Sequence, residues 1–376
     1  MTDARATPLA EFHLRHGARM TPFAGWALPL NYPPGVKAEH EHTREAVSLF
    51  DVSHMGQVAL RPGSGDPADA ARALEALVPG DILGLAEGAM RYTQLTTDSG
   101  GIIDDLMVTR RDDDLLLVLN AARAAADIAH LQDRLPGDVT IEPLENAALI
   151  ALQGPQSAEA LAPLIHDSHR LSFMQAHRFD WAGDPLWISR SGYTGEDGFE
   201  IGLAADIAEE LAEAFMEDDR VRPAGLGARD SLRLEAGLCL YGQDIDETTS
   251  PVEAALAWSI GRARRPGGAR AGGFPGADRI LRELADGPAR RRVGLRPQGA
   301  APMRAGVMLF ETPDAAEPIG RITSGGYGPS VGGPVAMGYV EARAARPGTT
   351  VHGELRGRRE PVEVVKLPFV PQGYVR

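Results

Sequence analysis

The sequence predicts an α+β protein of more than one domain with a mostly β C-terminal part. Three observations carry this expectation. The chain has 376 residues, more than one compact core accommodates; helical and short extended patterns alternate twice; and the last hundred residues are extended runs broken by glycines.

Taken in chain order, residues 36–50 place Val36, Ala46, Val47 and Phe50 near one stripe and read as a helix ending before Asp51. His40 and His42 stand two apart and point to different sides, which does not suit a helical metal pair and predicts solvated or locally bonded rings. A helix over 66–78, extended chain over 90–97, a buried strand at 115–119, a helix over 121–135 and a strand at 139–143 make the first alternation. The second has strands at 147–152, 185–189 and 199–202, and helices from about 157, over 205–215 and over 226–236. The stretch 261–276 is rich in arginine and glycine, lacks apolar periodicity, and reads as a linker or long surface loop. After a helix over 278–284, extended runs at 293–295, 319–323, 335–340 and 362–367 complete the β-rich tail.

Composition narrows the function. With 38 basic against 52 acidic side chains the formal charge is −14, which argues against general binding of a phosphate backbone. The lone Cys239 forms no internal disulfide or thiol cluster and reads as a small buried apolar residue. The first residues carry no apolar core of signal-peptide length, and no run of about 18 apolar residues occurs, so the expectation is a soluble, cytoplasmic protein without a membrane partner. Phosphate-loop, zinc-protease and nucleophile-elbow motifs are absent. Gly63-Ser-Gly-Asp-Pro-Ala68 approximates a dinucleotide fingerprint but reads better as a turn and helix cap.

Three glycine-rich polar segments remain. In Gly100-Gly-Ile-Ile-Asp-Asp-Leu-Met-Val108 successive strand residues face opposite sides, so only one of Asp104 and Asp105 points into a given cavity; a solvated turn is the alternative. In Ser191-Gly-Tyr-Thr-Gly-Glu-Asp-Gly-Phe-Glu200, Tyr193 offers a flat face, and Glu196, Asp197 and Glu200 offer carboxylates able to grip an amidine-like edge. A charged hairpin turn explains the same residues. In the third, residues 225–246, Arg229 and Arg233 share one helical face, either salt-bridged or holding a ligand's carboxylate or carbonyl.

Together with Phe23-Ala-Gly-Trp-Ala-Leu-Pro-Leu30, Phe50-Asp-Val-Ser-His-Met-Gly56, Leu119-Asn-Ala121, Leu152-Gln-Gly-Pro155, Tyr241-Gly-Gln-Asp-Ile-Asp246 and Ile322-Thr-Ser-Gly325, these segments make the sequence similar, end to end, to the aminomethyltransferases of the glycine cleavage system, the T-proteins. The resemblance implies a three-domain cloverleaf around a folate opening. Two units would be ferredoxin-like α+β domains, the first formed by 1–50 with 145–262 and the second by 51–144, followed by a β-barrel or jelly-roll-like domain over 278–376. It further implies transfer of the methylene carbon of an aminomethyl group on the lipoyl arm of H-protein to tetrahydrofolate, giving 5,10-methylenetetrahydrofolate, ammonia and dihydrolipoyl H-protein, without a metal. Functional links to the P- and L-proteins follow from the same resemblance. By position in the family motifs, Asp105 would stand near the folate N10 nitrogen and Asp104 would be structural. Glu200 would grip the pterin edge, Arg229 would contact the folate, Tyr374 would complete the pocket, and Tyr92, Asn120 and Tyr193 would wall it.

Two alternatives share the fold. A folate-dependent demethylase unit would normally adjoin a flavin domain, which is absent. A folate-binding accessory or iron–sulfur assembly protein carries a K-G-C-Y-x-G-Q signature, from which Gly237-Leu-Cys-Leu-Tyr-Gly-Gln243 departs. The acidic chain would repel an anionic folate tail or carrier protein, so Arg262, Arg264, Arg265, Arg270, Arg290, Arg291 and Arg292 are expected to form a local positive patch, with a merely solvated basic loop as the alternative.

Overall fold

The computed structural model describes residues 4–376. The α+β expectation holds. A six-stranded sheet has the order Ala176–Trp181, Asp184–Ser189, Gly198–Ala204, Ala147–Gln153, Val47–Asp51 and Val221–Pro223, antiparallel except for the last pair. Phe12, Leu49, Ile150, Leu152, Phe199 and Phe215 form the core between this sheet and the helices Ala10–Arg15 and Ala208–Met216. Its other face buries Phe50, Leu149 and Ala151 against Ala228 and Leu232 of the helix Leu226–Glu235. Alternate residues of the central strands are thus apolar on both sides, and the sheet is covered twice.

After Asp51 the chain leaves this sheet and builds a second, wholly antiparallel one of five strands in the order Met90–Thr96, Ile102–Arg110, Leu115–Leu119, Gly56–Pro62 and Val139–Pro143. Its core joins Val58, Leu60, Val108 and Leu117 to Leu74 and Leu131 of the helices Pro67–Leu74 and Ala124–Arg134. The segment 63–68 is the turn and cap its composition suggested: Asp66 accepts the Ala68 N–H and Pro67 opens the helix, where its missing donor is harmless. Six further strands, from Arg290–Pro297 to Arg358–Val365, close a barrel around Leu295, Ile322, Val340 and Val364. A three-stranded sheet, Arg5–Ala6 with Trp26–Asn31 and Arg19–Phe23, lies near the N-terminus.

Three local expectations need correction. The helix at 36–50 ends at Glu45, and Val47–Asp51 is a fully buried central strand, because the apolar run there satisfies sheet burial as well as a helical stripe. His40 is neither solvated nor bonded locally: it is buried and bonded to Ser231, Ser330 and Glu235, all far along the chain. The 261–276 stretch is no free linker. Arg264 is buried against Glu75 at 3.1 Å, and Arg270 reaches both Glu75 and Asp81. Charge pairing fastens its arginines, and Phe274 buries its far end against Val252, Ile260 and Ile280.

One node ties the parts together. Asp244 accepts from Arg233 Nη1 (2.8 Å), the Leu240 N–H (3.0 Å), Thr323 (2.5 Å) and Ser324 (2.9 Å), so the helix Leu226–Glu235, the following loop and the barrel meet on one buried carboxylate. Removing one partner of such a pair strands the other charge. Asp244→Ala should therefore lower stability by about 3–5 kcal/mol in urea denaturation; a loss below about 1 kcal/mol would show that the node is dispensable.

Candidate active site

The three large sheets and the C-terminal segment enclose a cavity of about 1620 Å³. Tyr92, Asp105, Asn120, Tyr193, Glu200, Arg229 and Tyr374 all line it, so the structure gathers the seven residues that the resemblance placed at the pocket, whereas Glu196 and Asp197, offered beside Glu200, do not line it.

Asp105 owes its place to register. Leu106 pairs with Leu119, so the strand Ile102–Arg110 runs beyond the end of Leu115–Leu119 and sets Asp105 beside Asn120. Gly101 makes the entry possible: a Cβ there would meet the Glu247 carbonyl oxygen at 1.7 Å. Asp105 Oδ1 accepts from Asn120 Nδ2 (2.8 Å) and Oδ2 from the Tyr92 hydroxyl (2.9 Å). Burial, and then the adjacent Asp104, push its carboxyl up to about 7, despite these two donors. No cation forms an ion pair with it among the described residues.

The Ser191–Glu200 segment is fixed from beneath by Gln153, which donates to the Ser191 carbonyl (2.9 Å) and accepts from Thr194 (2.8 Å). Of its three carboxylates, Glu196 is taken by Arg44 (2.8 Å) and Asp197 by Arg190 (2.9 Å). Glu200 receives only Ser191 Oγ (2.9 Å) and keeps acceptor capacity facing the cavity.

The arginine pair divides similarly. Arg233 is consumed by Asp230, Asp244 and Ser324, whereas Arg229, one turn earlier, lies over the Tyr193 ring with 4.8 Å to the centroid and has a buried Nη1 without an acceptor. Burial lowers the proton affinity of Arg229, opposed by the nearby Glu200 and Tyr193. Tyr193 itself donates to the Cys239 carbonyl. Cys239 is buried, with its thiol pushed up to about 12 chiefly by that burial. Tyr374 stacks on Phe173, centroids 4.0 Å apart at 9°, and forms a flat wall.

Among the lining residues that the sequence does not single out, three bear ring side chains beside the named site residues. His54 is buried, and burial followed by the positive charge of Arg229 pushes its imidazole down to about 4, so it is neutral at physiological pH. It sits inside a quoted motif, Phe50–Gly56, yet its burial gave no linear signal. Trp258 is 63% exposed and stacks on Tyr92 at 5.3 Å, and Phe173 backs Tyr374. The expected arginine patch is largely internal: Arg264, Arg265, Arg270, Arg290 and Arg292 are bonded to carboxylates or carbonyls. Arg291, Arg346 and Lys366 line the cavity, exposed and without an ion pair among the described residues.

An α+β shell with a closed barrel, wrapped around one large, mostly apolar cavity that carries a few charged groups, is an arrangement suited to a group transferase with a bulky co-substrate. Residues 9–264 match the GCVT N-terminal domain and 290–371 the glycine cleavage T-protein C-terminal barrel domain. The chain is 42% identical over 381 residues to a probable mitochondrial aminomethyltransferase of Schizosaccharomyces pombe, covering 100% of this chain and 95% of that protein. It is 45% identical over 379 residues to the mitochondrial aminomethyltransferase of Gallus gallus, covering 98% and 93%. A crystal structure of the glycine cleavage system aminomethyltransferase T from Bartonella henselae superposes with a TM-score of 0.91 at 46% identity, over 99% of this chain and 100% of that one. The chain belongs to the glycine cleavage T-protein family, and its activity class is aminomethyltransferase, a folate-dependent transferase.

The cytoplasmic expectation is corrected by the same relatives, which are named mitochondrial. Its basis was the lack of apolar segments, and that property is common to soluble proteins of every compartment.

The raised Asp105 carboxyl has a consequence for stability. An unfolded Asp titrates near 3.9, so the stability contributed by the neutral acid is complete below about pH 4 and is lost as pH rises through about 7. Asp105→Asn should thus stabilise the protein relative to wild type by about 4 kcal/mol more at pH 8 than at pH 4. Equal effects at both pH values, in paired denaturation curves, would contradict the raised carboxyl.

Proposed function

We propose that this chain transfers the methylene carbon of an aminomethyl group, presented on the lipoyl arm of H-protein, to tetrahydrofolate, with ammonia and dihydrolipoyl H-protein released. The observation that carries the reading is the separation of charges around the cavity: one carboxylate at Asp105, one at Glu200, and one unsatisfied guanidinium nitrogen at Arg229. These groups fit a pterin. Glu200 offers acceptors for an amidine-like edge, Arg229 Nη1 donates to a carbonyl, and the Tyr374–Phe173 stack provides a flat apolar wall. Tetrahydrofolate, when bound, supplies the nucleophilic nitrogens that accept the carbon. The volume exceeds the roughly 300–1,000 Å³ of a single-ligand pocket and suits a folate together with an incoming lipoyl arm.

Asp105 serves in two ways. Its carboxylate, oriented by Tyr92 and Asn120, stabilises positive charge developing at the reacting carbon. Because its carboxyl titrates near neutrality, it also holds or releases a proton at Oδ without a large energetic penalty. Asn120 and Tyr92 keep that group in one orientation, which favours a productive approach. The exposed cations Arg291, Arg346 and Lys366 at the cavity support arrival of an acidic carrier there, against the −14 charge of the whole chain.

The decisive measurement follows ammonia release with purified aminomethylated H-protein and tetrahydrofolate; no release above the uncatalysed rate would sink the reading. Asp105→Ala should reduce turnover at least about 100-fold while tetrahydrofolate affinity changes less than about threefold. Glu200→Ala and Arg229→Ala should each weaken tetrahydrofolate binding by about 10- to 100-fold in titration calorimetry. Unchanged affinity in both would move the pterin elsewhere.

A further inference from the structure

His54 stands where the chain leaves the first large sheet for the second, between the strands Val47–Asp51 and Gly56–Pro62. The short crossing is tightly held. The Ser53 N–H donates to Asp51 Oδ1 (2.9 Å), Ser53 Oγ accepts the Leu149 N–H (3.1 Å), and the Met55 N–H donates to the Val52 carbonyl (3.0 Å). The flanking Val52 and Met55 pack with Ala228 and Leu232 of the helix Leu226–Glu235, which brings His54 to the part of the cavity wall that carries Arg229. The Phe23 ring meets the imidazole edge to face, with centroids 5.8 Å apart at 84°.

The two ring nitrogens differ. Nδ1 is sealed from water and has no partner among the described residues. Nε2 is not enclosed in this way: it has no protein partner among the described residues and opens to the cavity that His54 lines. A neutral imidazole carries one N–H and one lone pair. A buried N–H without an acceptor is rarer than a buried lone pair without a donor, so the proton belongs on Nε2 and points at the ligand space. The ring stays neutral because burial, and then Arg229, disfavour its charged form.

We propose that His54 is a second carbonyl-binding residue of the cavity, its Nε2–H donating to the pterin carbonyl that Arg229 also contacts. The inference rests on the reading that places a pterin against Glu200 and Arg229. A carbonyl oxygen has two lone pairs, and a guanidinium and an imidazole N–H arriving from two sides satisfy both. The pairing makes the site selective. A ring with an amino group in place of that carbonyl brings a donor against two donors and leaves the protein's groups buried and unpaired. His54 thus selects oxo-pterins, the ring of the folates, over amino-substituted ones.

Titration calorimetry with tetrahydrofolate and with tetrahydroaminopterin, which carries an amino group where folate has the ring carbonyl, tests this. His54→Phe keeps a ring and removes the donor. It should weaken tetrahydrofolate binding by about 10-fold and change tetrahydroaminopterin binding by less than about twofold. His54→Gln, whose amide N–H reaches the Nε2 position, should keep tetrahydrofolate affinity within about threefold of wild type. Equal losses for the two ligands in His54→Phe, as a packing role produces, overturn the proposal, and so does an unchanged tetrahydrofolate affinity.

Nitrogen NMR of the ligand-free protein reads the tautomer directly. The His54 ring should show a protonated Nε2 and an unprotonated Nδ1, unchanged between about pH 6 and about pH 8. A proton on Nδ1 overturns the assignment whatever the affinities. If Glu200→Ala and Arg229→Ala leave tetrahydrofolate affinity unchanged, the pterin reading fails. If those two weaken binding and His54→Phe does not, the reading holds and the role of His54 falls.

Discussion

The buried ion pair between Arg233 and Asp244 joins three separately built pieces: the helix over the six-stranded sheet, the loop that follows it, and the barrel. A pair removed from water is favourable only when its leftover donors and acceptors are satisfied, and Thr323, Ser324 and the Leu240 N–H do this for Asp244. The consequences extend into the cavity. Arg229 precedes Arg233 by one helical turn, so anchoring one guanidinium sets the direction of the other. The same loop leans on the strand of Asp105, where the Ile102 N–H donates to the Asp246 carbonyl at 3.1 Å.

Around that frame, charge is divided within each motif. Adjacent or nearly adjacent ionic residues occur as sets, and within each set most members are held by internal partners while one faces the cavity. Glu196 and Asp197 have arginines and Glu200 has none in contact; Arg233 has carboxylates and Arg229 has an empty nitrogen. The partnered members make the backbone rigid, and rigidity is what allows the unpartnered one to wait for a ligand without collapsing onto a neighbour.

Much of this was legible in the sequence for identifiable reasons. Leu115–Leu119 and Val139–Pro143 were read to the residue, the first as a continuous apolar run and both bounded by polar turns. The strand Val47–Asp51 reads, up to Phe50, as the end of a helix, because a strand buried on both faces loses the alternation that marks a half-buried one. The strand Trp26–Asn31 was missed altogether, with Pro29 within it. At the site, motif order brought Asp105, Glu200 and Arg229 together. His54, Trp258 and Phe173 enter through distant packing that no linear pattern encodes. The arginines of 261–292 show the limit from the other side, since composition counts charges and cannot tell which are already neutralised by Glu75, Asp81 or Glu253.

The excursion of the chain between Asp51 and Ala147 carries a kinetic implication. Val47–Asp51 pairs with Ala147–Gln153 on one side and with Val221–Pro223 on the other, so a central strand waits through about a hundred residues for its first neighbour and longer for its second. On the ribosome, the inserted five-stranded unit is complete before the sheet that flanks it. Until residue 223 emerges, one edge of this apolar ribbon stays open, and shielding of that edge during synthesis bears on the yield of folded enzyme.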